Sequence, residues 1–328
     1  MLNFMIRRLL IIIPLFFGIS ILSFIIIQLP PGDYLTTYIQ QLESSGIEID
    51  AQAIKRLEIR YGLDQPKTVQ YFKWMNNILL RGEFGRSFQY DEPVRDIILQ
   101  RLPITLCLGI ASMIFIFAVA LPIAIYSALN KYSYFDYAWT FAGFIGLALP
   151  NFIFALVLMF VVYSLTGHAV TGMFSYEYVG KPWSLGKFLD LLSNIWLPVV
   201  VIGSSGTAGL IRVVRGMLLD ELSKQYVTTA RAKGLPELKL LWKYPIRMAL
   251  NPVASTIGWT LPAVVSGSMV VAIVLNMRDT GSALLGAVMA QDMYLAGSII
   301  LVIGMLTLIG TFLSDLVLAW LDPRIRYE

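Results

Sequence analysis

The chain has 328 residues, a formal net charge of +4 and a mean hydropathy of +0.70. Hydrophobic residues make up 57% and charged residues 14%, whereas soluble domains contain about 45–50% apolar and about 25% charged residues. This composition excludes a soluble globular enzyme and a disordered chain, and the single cysteine excludes a disulfide scaffold. It indicates a polytopic membrane protein.

Six apolar runs are long enough to cross a bilayer as helices. They are predicted at residues 9–29, 103–129, 138–165, 193–211, 250–275 and 296–320. Arg7 and Arg8 precede the first span and favour a cytoplasmic N-terminus, and six spans then return the C-terminus to the cytoplasm. The predicted cytoplasmic side, with Asp315 at the end of the last span included, carries 13 Lys and Arg against 7 Asp and Glu, and the outer segments carry 12 against 14, which agrees with this orientation.

The predicted domains are an N-terminal end with the first span at residues 1–29, an extracytoplasmic helical lobe at 30–102 and a five-helix core at 103–328. Within the lobe, one helix is predicted to follow Asp50, a second to run from Pro66 to Gly82, and a third to start at Asp91 and Pro93. The lobe is either a structural cap or a docking surface for an external partner, and the sequence favours neither.

The predicted spans contain almost no ionisable groups, and Asp315 is the clear exception. A transporter driven by an ion gradient needs such groups to bind and release the ion, so proton coupling is not expected. The sequence also lacks the GxxxxGK[ST] loop that holds ATP phosphates. The chain is therefore expected to bind no cofactor and no metal, and any pumping must draw its energy from another subunit.

One enzymatic alternative is an intramembrane serine protease. The string GSSG at residues 203–206 offers Ser205 as a nucleophile, and His168, the only histidine, would have to serve as its base. Small residues of this kind are more often used for close helix packing, and His168 falls in a loop between predicted spans. A third class, a channel or scaffold that works without an ATPase, also stays open.

The most informative segment is a basic cytoplasmic loop at residues 215–250, called the elbow below. Apolar or small residues recur every four positions at Leu218, Leu222, Tyr226 and Ala230. Gly234 is typical of a helix end, and a proline two residues later fits the first turn of a second helix. Two short helices are therefore predicted to meet at a glycine corner, which another protein can approach closely.

The elbow resembles the loop of ABC importer permeases. Thr228, Thr229, Ala230 and Gly234 fall on the E-A-A-x-x-x-G positions of that loop, and YVTTARAKGL is similar to the form found in the dipeptide/oligopeptide group. Four further strings are similar to that group: YGLDQPKTVQYFKW at 61–74, RGEFGRSF at 81–88, QDMYLAG at 291–297 and LDPRIRY at 321–327. Together they extend the resemblance over nearly the whole chain.

The sequence departs from the family pattern at three kinds of position. Thr228 replaces the Glu of the loop motif and Thr229 its first Ala, while the usual I-x-L-P ending of the loop reads YPIR at 244–247. After the fifth span the group's V-E-x-V-F string is changed, and Leu275 stands in place of its Glu. The last change weakens the link to a peptide cargo.

The resemblance implies an inner-membrane subunit of a type I ABC importer that moves its cargo by alternating access. Its implied partners are a second homologous permease subunit, two ATP-binding subunits that use ATP and Mg, and an extracytoplasmic solute-binding protein. A short peptide is the first expected cargo, with oligosaccharides second and nickel also represented in the family. The coupling contact to the ATPases is expected from Tyr226, Thr228, Thr229, Ala230, Arg231, Ala232, Lys233, Gly234, Leu235, Glu237 and Lys239.

Polar residues of the fourth and fifth spans are the candidates for a translocation path. Their hydroxyl and amide groups can contact a polar solute without a charge, although a bond to the helix's own carbonyls is an equally good use of a hydroxyl. Arg212 and Arg215, at the membrane edge, suit contact with anionic membrane lipid better than docking. The path candidates are Ser204, Ser205, Thr207, Ser266, Ser268 and Asn276.

Overall fold

A computed structural model describes residues 2–29, 55, 59, 64–87, 89–168, 170–182 and 184–321. This part of the chain is helical and contains no β-strand beyond one isolated bridge. Its helices are α1 Leu2–Ile27, α2 Lys67–Arg81, α3 Val94–Leu129, α4 Tyr134–Ala148, α5 Asn151–Thr166, α6 Leu185–Leu222, α7 Gln225–Ala232, α8 Glu237–Lys243, α9 Pro245–Ala249, α10 Asn251–Val274, α11 Thr280–Met289 and α12 Met293–Leu321, with a short 3-10 turn at Tyr176–Tyr178.

Four of these helices, α1, α3, α6 and α12, are long and apolar enough to cross a membrane, and α4 and α5 add a fifth crossing if they form one span. Helix α10 occupies the position of the predicted fifth span. The described residues therefore form an all-helical protein with several membrane-crossing helices. The predicted helix after Asp50 lies outside the described residues apart from Lys55 and Ile59, which are both helical.

The prediction of a single helix over residues 138–165 is wrong. The chain bends by 109° between α4 and α5, where Leu149 is extended (φ −83°, ψ 123°) and Pro150 precedes α5. Proline has no N–H to donate and disfavours the helical conformation of the residue before it, so the helix ends there. Hydropathy continues unbroken through this point, which is why an apolar run alone predicted one helix.

The chain divides into two compact units. The first comprises Met1–Leu9, Thr105–Arg278 and Thr307–Glu328. Among the four long apolar helices, α6 is the most buried. Ala120 and Ala124 of α3 pack with Leu210 and Val214 of α6 in one apolar cluster. This unit carries the elbow.

The glycines of GSSG allow α6 to approach α3 closely. A Cβ on Gly203 would lie 2.6 Å from Cδ1 of Phe115, and a Cβ on Gly206 would lie 2.7 Å from Cδ1 of Ile116. Such distances are far below van der Waals contact, so larger residues would push the side chains of α3 aside. The small residues of this string serve helix packing at these two positions.

The second unit comprises Leu10–Ile104 and Asp279–Leu306. Its lobe helix α2 confirms the prediction, because it begins after Pro66 and ends at Gly82, which adopts the left-handed conformation (φ 63°). Trp74 of α2 packs against Phe24 of α1 with ring centroids 5.8 Å apart. The prediction that α3 starts after Pro93 is also confirmed.

A second feature of this unit is a loop pair, residues 85–94 and 291–295, called the clasp below. Asp292 is fully buried, and its carboxylate accepts hydrogen bonds from the Ser87 hydroxyl, from the Gln89 backbone N–H at 3.1 Å and from the Leu295 N–H at 3.2 Å. The bond to Leu295 caps the start of α12. Gly85 (φ 107°) lies against the ring of Tyr294, leaving no room for a Cβ.

Candidate functional site

The elbow forms a small helical body at the end of α6. Ser223 and Lys224 interrupt the helix after Leu222, and α7 restarts at Gln225. This break shifts the helical phase, so Tyr226 is exposed and Val227 is buried in its place. The predicted four-residue repeat from Leu218 to Ala230 therefore does not lie on one continuous helix face. The sequence did not predict the break, because no glycine or proline marks it.

Apolar packing holds the elbow together. Val227 and Ala230 of α7 and Leu240 of α8 are buried in one cluster with Leu218 of α6 and Ala128 of α3. Burial of such side chains is worth about 1.5–3 kcal/mol for each large residue. This packing joins the elbow to the ends of α3 and α6.

The predicted glycine corner is present. Gly234 adopts a left-handed conformation (φ 78°), its N–H donates to the carbonyl of Arg231 at 3.0 Å, and the N–H of Leu235 donates to the carbonyl of Ala230 at 3.4 Å. α8 then starts after Pro236. Apart from Gly234 itself and its chain neighbours, no heavy atom lies within 4 Å of a Cβ built on this residue. The glycine is therefore required by its backbone conformation and not by crowding.

A two-point ion pair closes the corner. The Arg231 guanidinium donates from Nη2 to Glu237 Oε1 at 2.6 Å and from Nε to Oε2 at 3.1 Å, and both side chains are 53% exposed. These hydrogen bonds raise the pKa of Arg231 and lower the pKa of Glu237. The pair joins α7 to α8 on the outer surface of the elbow.

Tyr226 fixes α7 against the end of α6. Its hydroxyl donates to the Glu221 carboxylate, and its ring lies 6.2 Å from that of Tyr244. The Tyr226 side chain is exposed overall, but partial desolvation of its hydroxyl raises the pKa of the phenol above its usual range, and the hydrogen bond to Glu221 raises it further. The phenol therefore stays protonated at neutral pH and keeps donating to Glu221.

Most residues predicted to couple to an ATPase lie on the elbow's surface, whereas Ala230 is buried and Leu235 is partly buried in its core. Two residues that the sequence did not single out are also exposed, Leu238 at 71% and Trp242 at 57%. They lie four residues apart on α8 and therefore on one face. Their signal in the sequence was an apolar pair on the side opposite Leu240 and Leu241. The exposed predicted residues are Tyr226, Thr228, Thr229, Arg231, Ala232, Lys233, Gly234, Glu237 and Lys239.

The path candidates that the structure describes lie in different surroundings. The Ser204 hydroxyl donates to the carbonyl of Val201 at 2.8 Å, Ser268 is fully buried, and Asn276 is exposed in a left-handed conformation (φ 51°) just after α10. The side chain of Ser266 lies outside the described residues. These residues stay predictions.

The two residues of the protease alternative are not hydrogen-bonded to each other in the described structure. His168 is exposed in the turn after α5, and its Nδ1 lies 2.8 Å from the carbonyl of Thr166. Ser205 is half-buried within α6. This arrangement provides no prepared nucleophile and base.

Two ion pairs connect helix ends in the first unit. Asp136 at the start of α4 is buried and binds Arg215 of α6 through two hydrogen bonds of 2.7 Å. Asp315, the one clear ionisable residue of the predicted spans, pairs with Arg8 at 3.0 Å. This ion pair joins the start of α1 to α12.

Comparison with known proteins identifies the class of protein. The family model for "Binding-protein-dependent transport system inner membrane component" matches residues 120–327, and a second model for the N-terminal part of such membrane components matches residues 1–109. The chain belongs to this family. It is a permease subunit of the peptide-type ABC importers and not itself an enzyme.

Several of the similar proteins are peptide permeases by name. The oligopeptide transport system permease protein AppB of Bacillus subtilis is 34% identical over 325 residues, covering 99% of both chains. The oligopeptide permease protein OppB of Haemophilus influenzae is 30% identical, and the dipeptide permease protein DppB of Escherichia coli is 28% identical, each over the full length of both chains.

Proposed function

We propose that this chain forms one half of the translocation path of an ATP-driven importer of short peptides. A second permease subunit supplies the other half, two ATP-binding subunits supply the energy, and an extracytoplasmic binding protein delivers the peptide. The observation that carries the proposal is full-length similarity to oligopeptide and dipeptide permeases. An oligosaccharide cargo is the second choice, because Leu275 departs from the peptide group's pattern.

The elbow is the proposed contact with an ATPase subunit. It is held together by its own apolar cluster, so its surface residues are free to meet a partner without loss of the fold. The exposed Leu238 and Trp242 add apolar side chains to the elbow's surface, which also carries the exposed polar residues Thr229 and Lys233. A mixed surface with an apolar anchor is typical of protein–protein contacts.

The proposed mechanism is a rigid transfer of motion. When the ATP-binding subunits close on ATP, they displace the elbow, and the buried contacts of Leu218 and Ala128 pass this displacement to α6 and α3. A change in the angle of these helices would open the path to one side and close it to the other. ATP thus favours one of two states by binding to it more tightly, as any ligand must.

The test is a matched pair of substitutions at two glycines that both adopt left-handed conformations at helix ends. Gly234→Asp alters the elbow, and Gly82→Asp alters the lobe helix α2. Each adds the same side chain at the same kind of backbone position, and neither Cβ meets an atom closer than 3.8 Å. The transporter is purified through a tag on this chain, and its subunits and its ATPase activity are measured.

We expect the Gly234 variant to lose the ATP-binding subunits or their peptide-stimulated activity while it keeps the second permease. The Gly82 variant should keep both. Equal losses in the two variants would show a general folding defect and would contradict the role of the elbow. Uptake of a labelled tripeptide and of a labelled trisaccharide into proteoliposomes then decides the cargo, and uptake of the sugar alone would contradict the peptide proposal.

A further inference from the structure

The first unit contains an apolar cavity that the proposed transport cycle does not use. Its volume is about 350 Å³, within the range of about 300–1,000 Å³ that is typical of small-molecule sites. It lies between α3, the bent pair α4–α5 and α6. Phe115, Trp139, Ile145 and Ala208 are among its lining side chains.

A smaller hollow continues the cavity toward the end of α6 that leads into the elbow. It has a volume of about 70 Å³ and shares Trp139, Gly143, Ala208 and Ile211 with the cavity, while Arg212 and Arg215 line its far part. The lining residues of α6 recur at intervals of three and four and therefore lie on one face of the helix. An apolar cavity thus leads directly to a basic end.

The two arginines at that end differ in their partners. The guanidinium of Arg215 is bound to the buried carboxylate of Asp136. Arg212 is exposed and makes no ion pair with any residue of the described structure. Arg212 is therefore available to an external anion, and it lies at the predicted cytoplasmic end of the fourth span.

From this arrangement we infer that the cavity binds one acyl chain of an anionic phospholipid, whose phosphate group meets Arg212. A membrane supplies this ligand from the side at the depth where Arg212 lies. Each Lys or Arg near an anionic membrane surface gains about 1 kcal/mol, and the apolar wall favours a hydrocarbon chain. The charge and the apolar cavity together match a molecule with one charged and one apolar end.

A peptide fits this cavity poorly. Every peptide residue brings a backbone N–H or C=O that must be hydrogen-bonded when it is buried. The polar groups in the wall belong to Trp139, Ser204 and Thr207. The Ser204 hydroxyl already donates to a backbone carbonyl. The Thr207 hydroxyl is buried without a hydrogen-bond partner among the described residues, and an ester oxygen at the head of the chain is an acceptor for it. Ser204 and Thr207, predicted for the path, are thus assigned to the lipid site.

The test uses the complete transporter, with substitutions only in this chain. Native mass spectrometry counts the phospholipids retained on the chain after titration with phosphatidylglycerol or with phosphatidylcholine of the same acyl chains. Arg212→Gln removes the proposed phosphate contact, and Lys131→Gln removes another exposed charge from the same predicted membrane side. Ala142→Leu places a larger side chain in the cavity while keeping a good helix former in α4.

We expect the wild-type chain to retain one phosphatidylglycerol more tightly than phosphatidylcholine. Arg212→Gln should weaken phosphatidylglycerol about fivefold, as expected from about 1 kcal/mol for one charge, and Lys131→Gln should change it less than twofold. Ala142→Leu should weaken both lipids. The variants keep the elbow intact, so subunit recovery and ATPase activity test the proposed function separately.

Four outcomes would overturn the inference. Equal losses of phosphatidylglycerol in the Arg212 and Lys131 variants would show that the lipid is attracted by the overall surface charge and not by Arg212. Unchanged lipid retention in the Ala142 variant would place the acyl chain elsewhere. Retention by the isolated chain but not by the complex would show that a partner subunit covers the cavity, and displacement of the lipid by the transported peptide would assign the cavity to the path.

Discussion

The elbow and the clasp are two compact connections that are stabilised in different ways. The elbow encloses apolar side chains from α3, α6, α7, α8 and α9, and its ion pair between Arg231 and Glu237 lies on the surface. In the clasp the central group is the buried carboxylate of Asp292, surrounded by uncharged donors. Apolar burial is non-directional, whereas each hydrogen bond of the clasp depends on the position of one atom.

This difference matters for what each connection can do. A body held by apolar contacts can bear contacts with a moving partner, because no single polar atom decides its stability. A buried carboxylate with directed donors holds one arrangement and is sensitive to the loss of a single donor or acceptor. Local hydrogen exchange reports the free energy of local opening and therefore tests this contrast between the two connections.

The largest effect is expected from Leu240→Ala in the elbow. Leu240 is fully buried, and removing a buried leucine side chain costs about 2–5 kcal/mol, since a cavity remains. Amides of α7 and α8 should exchange faster by the corresponding factor. Leu238→Ala, two residues earlier at an exposed position, is the control and should change exchange by no more than about 0.5 kcal/mol. Equal effects of the two variants would contradict an apolar core in the elbow.

In the clasp, Asp292→Asn is expected to cost about 1.5–3 kcal/mol. The carboxylate accepts three hydrogen bonds through two oxygens, and an amide offers only one oxygen and directs its NH₂ at a donor. Exchange in residues 85–94 should therefore increase. Asp91→Asn is the matched control, because Asp91 is exposed in its pair with Arg86, and such pairs contribute less than about 1 kcal/mol. A clasp that tolerates both changes would not depend on the buried carboxylate.

The elbow could be predicted from sequence better than the clasp. Gly234 and Pro236, like Pro66 and Gly82 in the lobe, mark helix ends through backbone properties that depend only on residue type. The clasp joins Asp292 to Ser87, which is 205 positions away, and ordinary Asp and Ser residues carry no local sign of such pairing. The interruption at Ser223 was missed for a related reason, since serine only permits a helix end and does not require one.

The third prediction compares alanine substitutions at one glycine of the elbow and one glycine of the clasp. Gly234→Ala should cost about 1–2 kcal/mol, since alanine in a left-handed conformation is disfavoured and its Cβ meets no atom within 4 Å. Gly85→Ala should cost about 1 kcal/mol more than this, because its Cβ would lie 2.7 Å from the ring of Tyr294, which must move. Thermal unfolding and local exchange measure both. If Gly234→Ala were the more costly of the two, crowding in the clasp would not be the deciding factor.

The smallest effect is expected from pH at the elbow's surface pair. Because the hydrogen bonds from Arg231 lower the pKa of Glu237, the pair stabilises the elbow at pH values above the unfolded carboxyl's pKa of about 4.3. This contribution is lost as the pH falls through the lower pKa of the folded state. The measurement compares amide exchange at residues 233–235 in wild type and in Glu237→Gln at each pH, so that the intrinsic pH dependence of exchange cancels.

Wild type should be slightly better protected than the Gln variant at pH 6, and the difference should disappear near pH 3. It should also shrink in 1 M salt, where the screening length falls to about 3 Å, since both side chains are half-exposed. The amides around Leu240 should remain protected in both proteins at either pH, because burial of apolar side chains needs no charge. Loss of that protection together with the ion pair would show that the surface charges, and not the apolar cluster, hold the elbow.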